Sequence, residues 1–167
     1  MRKLPQILLA LLLVCSLLCG CSSLQAIQKD QTLTFQDLSI TLPSYFDDMT
    51  DPNSGVTIDG FFMYGYQEIM ISGIREDYSL FEEVPSLEEY GKLLIENNSL
   101  NSQLEVIDGL TTFTFSQLVN DSESYTYITS IYAGTDAFWM VQAGCRTMNM
   151  SATRDKLIDF LKTVVVA

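Results

Sequence analysis

The chain has 167 residues, with 9 Lys and Arg against 21 Asp and Glu, no His, and a formal charge of −12. Absence of histidine removes the commonest general base, the Ser-His-Asp and Cys-His catalytic arrangements, and imidazole metal sites. The acidity argues against nucleic acid, whose phosphates require clustered Lys and Arg, and against direct attraction to an anionic bilayer.

The first residues read as an export signal. Met1, Arg2 and Lys3 place positive charge at the start, and Ile7 to Leu18 is almost wholly apolar. That run of about 12 residues fits a signal h-region and falls short of the roughly 20 needed to span a bilayer. It ends in Leu18-Cys19-Gly20-Cys21, which looks like a bacterial lipobox. Gly20 is small enough for a peptidase to approach the bond it precedes, and the Cys21 thiol would accept a diacylglyceryl group. Residues 1–20 are thus expected to be a signal peptide, and Cys21 the lipid-bearing first residue of the mature chain. Two acyl chains (palmitate and its kin) give a stable anchor where one binds reversibly. Arg2 and Lys3 leave with the signal, so 7 basic groups then face all 21 acidic ones, a net −14. The expected location is the extracytoplasmic membrane face, with the lipid holding an acidic domain that the bilayer repels.

Cys15, Cys19 and Cys21 belong to the signal and lipobox, which leaves Cys145 alone in the folded part. No disulfide is expected there, and Cys145 reads as a small buried hydrophobe closing a strand. Residues 21–31 read as a lipidated tether, its ten largely polar residues after Cys21 reaching at most about 35 Å. Residues 32–167 have the size of one self-sufficient domain.

Thr32 to Phe35 and Leu38 to Leu42 alternate as strands, with Leu38, Ile40 and Leu42 on one face and Pro43 ending the pairing. Asp47 to Gly55 is dense in turn formers. Asp47, Asp48, Asp51, Asn53 and Asp59 offer oxygens to Ca²⁺, which takes about six to eight. The EF-hand register fails, however: counted from Asp51, Gly55 stands fifth and Val56 where glycine belongs. A solvated turn is the favoured reading, with Ca²⁺ capture as its alternative.

Val56 to Tyr66 and Gln67 to Arg75 are extended runs rich in aromatic and β-branched residues. Alternation sends Phe61, Met63 and Gly65 to one face and Phe62, Tyr64 and Tyr66 to the other. An aromatic ligand pocket at Phe62, Tyr64 and Tyr66 is the alternative to core packing on both faces.

Ser86, with Glu89 three residues on, forms a capping box that opens a helix through Leu87, Tyr90, Leu93 and Leu94, ended by Asn97-Asn98-Ser99. Strands return at Leu104 to Asp108, Leu110 to Val119, Ser124 to Ala133 and Ala137 to Cys145. Asp108-Gly109 signals a tight hairpin. Trp139, Val141 and Ala143 alternate toward the core. A closing helix is expected from Ser151 to Val165, with Leu157, Ile158, Leu161 and Val165 at helical spacing. Short turns between consecutive strands imply antiparallel pairing, and two helices need a sheet to cover. The fold class is therefore α+β: an antiparallel sheet of six to seven strands with two helices packed on it.

The strand Leu38-Ser-Ile-Thr-Leu-Pro43, the helix start Ser-Leu-Glu-Glu-Tyr at 86–90, the hairpin Tyr125–Cys145 and the closing helix through Leu157, Ile158 and Leu161 together resemble the PsbP-like fold. That fold is shared by an extrinsic photosystem II subunit and many bacterial lipoproteins. The resemblance implies no catalytic residues to carry over and members that act mostly as binding or assembly factors. The expectation is a non-enzymatic lipoprotein, without a cofactor, that binds or positions another protein at the cell surface. A small-ligand or Ca²⁺-binding lipoprotein using the 47–59 loop or the 61–66 strand is the alternative.

Overall fold

The computed structural model describes residues 29–50, 60–120 and 122–167. The signal peptide, the lipobox with Gly20 and Cys21, most of the tether, and Asp51, Asn53 and Asp59 lie outside them.

Among the described residues, ten strands form two antiparallel sheets. β1 (Asp30–Phe35) and β2 (Leu38–Pro43) form a hairpin turned at Gln36, whose φ is 52°. β10 (Val165–Val166) pairs with the other side of β2, giving a small sheet ordered β1-β2-β10. The larger sheet contains β3 (Asp47–Asp48), β4 (Phe61–Tyr66), β5 (Ile69–Asp77), β6 (Glu105–Ile107), β7 (Leu110–Asn120), β8 (Glu123–Ala133) and β9 (Ala137–Arg146). Its order is β3-β4-β5-β9-β8-β7-β6. Helix α1 (Leu87–Asn97) joins β5 to β6, and α2 (Met150–Lys162) joins β9 to β10.

Local chemistry accounts for the boundaries. The Ser86 hydroxyl accepts from Glu89 N–H at 3.3 Å, while Glu89 Oε2 accepts from Ser86 N–H at 2.9 Å. Two otherwise orphan donors at the start of α1 are thereby satisfied. Hydrogen bonds donated to its carboxylate by the Ser86 N–H and then the Ser86 hydroxyl hold the Glu89 carboxyl below its usual range. Asp108 and Gly109, with φ of 51° and 86°, make the two-residue turn with both central residues left-handed that suits strand twist.

Several expected boundaries shift by a residue or two, and two of the differences have a clear cause. β1 starts at Asp30, inside the expected tether, because Gln31 continues the inward alternation of Leu33 and Phe35. The last helix stops at Lys162 rather than Val165. The β-branched run Val164-Val165-Val166 favours extended backbone, and Val165 and Val166 find partners in Ser39 and Leu38. Val165 is exposed, and Phe160 and Val164 are buried in its stead.

The two faces of the larger sheet carry separate cores. On one face, Phe62, Ile71, Ile128, Trp139, Val141 and Ala143 pack against β2 and α2 through Leu38, Ile40, Leu157 and Leu161. Cys145 belongs to this core, and burial pushes its thiol up. On the other, Phe113, Ile131 and Phe138 meet Tyr90 and Leu94 of α1.

Candidate functional site

The face beneath α1 is built by alternation along five strands. Opposite residues of an antiparallel pair share a face, so Met63, Met70, Ser72, Met140, Gln142, Tyr125, Tyr127, Phe113, Phe115 and Gln117 lie on one side. Helix α1 covers only one end of that row. There Tyr90 stacks on Phe138 with centroids 4.2 Å apart, and Phe81 meets both rings edge-on. Burial pushes the Tyr90 phenol far above the ordinary tyrosine range, with Glu76 adding to the shift.

Past the end of α1 the face is left half-open. Phe115 and Tyr127 are stacked at 5.3 Å, and Tyr125 continues the row at 6.3 Å from Tyr127. Gly144 lies directly under Tyr127: a Cβ there would stand 2.3 Å from the ring. Met140 and Gln142 are half-buried beside it. Burial, then the neighbouring Tyr125, raises the Tyr127 phenol.

Where α1 ends, this face opens into a cavity of about 430 Å³ lined by Leu94, Asn98, Phe113, Phe115, Gln117 and Gln142, among others. Its size falls within the roughly 300–1,000 Å³ of ligand pockets. No lining side chain ionises near neutrality, so the cavity offers apolar contact and amide hydrogen bonding rather than acid–base chemistry.

Charge is held at the two ends of the sheet. Arg75, 11% exposed, reaches Asp37 in the β1–β2 turn, Asp77 on its own strand and Asp136 in the β8–β9 turn. Burial works against its charge, but the hydrogen bonds and charges of Asp77 and Asp136 carry the net shift upward. Trp139 Nε1 donates to Asp37 at 2.9 Å, so this cluster pins the small sheet onto the larger one. At the opposite end Arg146 pairs with Glu123 at 2.7 Å and Glu68 at 3.3 Å.

The residues singled out from sequence lie elsewhere. Phe62 is fully buried, stacked on Phe35 at 4.1 Å and 6.3 Å from Trp139. Tyr64 meets Phe35 edge-on, and Tyr66 packs on Tyr45 at 4.1 Å. All three belong to the covered face; it is Phe61 and Met63 that take the half-open side. Asp47 and Asp48 are exposed in β3, opposite Gly65 and Tyr64, and Asp48 accepts from Thr50 N–H at 2.8 Å. Burial, then the Asp48 charge, raises the Tyr64 phenol. Among the described residues, no group of three or more His, Cys, Asp or Glu is placed to hold a metal ion.

Sequence reasoning passed over Tyr125, Tyr127, Phe115, Met140 and Gln142. Their alternation was visible, but only the place where α1 ends shows which of them stay uncovered.

No family model and no curated protein sequence matches the chain. Solved structures do. Cyanobacterial PsbP (CyanoP) from Synechocystis is 9% identical with a TM-score of 0.51, covering 89% of this chain and 98% of that one. The Ran-binding protein Mog1p of Saccharomyces cerevisiae is 10% identical at 0.51, covering 83% and 96%. A Bacteroides thetaiotaomicron structure is 13% identical at 0.55; the match covers 84% of this chain but only 49% of that one, about half its length. At such identities the likeness is one of fold, and the fold of this chain is PsbP-like.

Proposed function

We propose that the chain is a membrane-anchored extracytoplasmic lipoprotein whose domain is a non-enzymatic binding module, holding another protein against the half-open sheet face. The observation that carries the binding role is the row Phe115, Tyr127 and Tyr125 beside Met140 and an uncharged cavity. Aromatic and methionine side chains are the residue types enriched in the cores of protein interfaces. The anchor rests on the lipobox at Cys21, and no helix among the described residues is long and apolar enough to cross a membrane.

The test uses a photo-crosslinking residue at Tyr127 on the half-open face or at exposed Thr34 on β1, in cells, with and without Cys21→Ser. Crosslinking to one partner from Tyr127 and not from Thr34 is expected. Mass spectrometry should find diacylglyceryl and acyl groups on Cys21, and Cys21→Ser should release the protein from membranes. Equal crosslinking from both positions would refute the binding face, and an unmodified Cys21 would refute the anchor.

A further inference from the structure

The two edges of the larger sheet are built differently. At one end, β3 is two residues long and both are exposed aspartates. Short, charged edges resist the addition of another strand. At the other end, β6 pairs with β7 only through Leu110, Thr111 and Thr112, although β7 runs on to Asn120. From Thr111 to Asn120 the sequence TTFTFSQLVN holds no charge and no proline. Leu118 and Val119 are 72% and 58% exposed. Among the described residues, most of this edge thus lacks the devices that keep strands from pairing with strangers.

The direction of its backbone groups follows from a single hydrogen bond. The Thr114 carbonyl accepts from the Ser102 hydroxyl at 2.7 Å, so Thr114 points its backbone away from β8. Alternation then turns Ser116 and Leu118 outward too, up to the register shift between Leu118 and Asn120. Ser102, in the segment leading into β6, touches this edge at Thr114, and the 430 Å³ cavity, lined by Leu100, Ser116 and Gln117 among others, opens beside the part beyond it.

We propose that the edge from Ser116 to Leu118 receives an extended segment of a partner protein as an added strand, with an apolar side chain seated in the cavity and basic residues flanking it. This rests on the binding-module reading and names how the partner is held. Added strands draw affinity from main-chain hydrogen bonds and specificity from pockets for alternate side chains. Partner residues facing Phe115 and Gln117 reach the cavity, and those between them cover Leu118. Charge decides between occupants. A second copy would bring one net −14 domain against another, whereas a basic segment complements the exposed carboxylates of Glu96 and Glu105.

The probe is an eight-residue peptide of alternating valine and threonine with lysine at each end, added to the full chain in detergent. Before addition, hydrogen exchange at the Ser116 and Leu118 amides should run at least about tenfold faster than at Phe115 and Gln117, which bond to β8. The peptide should bind saturably and slow Ser116 and Leu118 about tenfold, and a glutamate-ended version should bind at least about tenfold more weakly. Leu118→Pro deletes an outward N–H without touching the β8 ladder and should abolish binding with the melting temperature preserved. Leu118→Lys, an edge-blocking charge, supplies the same reading should the proline variant misfold. Absent saturable binding, binding undiminished from the wild type in both Leu118 variants, or protection that tracks the concentration of the chain itself would each overturn the proposal; the last would assign the edge to a second copy. Crosslinking from Tyr127 that survives such a failure would leave the binding face standing and remove only strand addition.

Discussion

On one face of the seven-stranded sheet, every strand from β4 to β8 finds a partner layer: the small sheet over Phe62, and α2 over Val141 and Ala143. On the other, α1 covers Phe113, Ile131 and Phe138 and then ends, leaving Phe115, Tyr127, Met140 and Gln142 half-buried. Both faces carry aromatic rings over glycines, with Phe62 above Gly73 on one and Tyr127 above Gly144 on the other. The difference lies in what backs the ring. Phe62 is held between Phe35 and Trp139, whereas the rings beside Tyr127 among the described residues are Phe115 and Tyr125 of its own row. A closed face stabilises the domain; a half-open one leaves apolar surface for something else to bury.

Substitutions measure that contrast directly. Trp139→Ala should be the most damaging, costing about 4 kcal/mol in urea unfolding, because it empties the closed core and strips Asp37 of a donor. Gly73→Ala should cost about 3 kcal/mol, since the new Cβ would stand 2.2 Å from a Phe62 ring with nowhere to go. Arg75→Met unpins the small sheet and should cost about 2 kcal/mol, less than a fully buried pair because Asp77 and Asp136 are largely exposed. Gly144→Ala, with an equally close ring, should cost only about 1 kcal/mol because Tyr127 can swing outward. Equal losses for the two glycine variants would erase the distinction between the faces.

The smallest effect near neutrality is on pH dependence. Burial raises the Tyr90 phenol under α1 and the Tyr132 phenol, whose hydroxyl donates to the Leu161 carbonyl at 2.7 Å over the closed face. Folded tyrosines therefore keep protons that the unfolded chain releases above about pH 10. Stability from these groups is fully present below that pH and falls as pH rises beyond it. Urea midpoints should hold between pH 7 and 8, slip slightly toward pH 9 as the unfolded Cys145 thiol ionises, and drop beyond about pH 10. Tyr90→Phe should flatten the drop in part, and Tyr132→Phe should remove much of the rest.

Some of this architecture is legible in the sequence alone. Ser86 with Glu89 announced α1, Asp108-Gly109 announced the β6–β7 turn, and the alternation of Trp139, Val141 and Ala143 announced a core strand. These are local signals: a cap, a turn and a period each depend on residues within a few positions. The short strands β3 and β10 were not legible, because pairing two residues with Tyr64 or Leu38 depends on distant neighbours. The aromatic run 61–66 pointed to Phe62, Tyr64 and Tyr66, which the fold then placed beneath its small sheet.

The sequence by itself determined the helix starts, the hairpin turns, the two-faced strands, the acidity and the lipobox reading at Cys21. Only the tertiary structure decided which face was closed and which edge was bare. Alternation assigns a side chain to a face but says nothing of what lies above it. That depends on where α1 stops and where β6 ends, and both are set by packing between residues far apart in the chain.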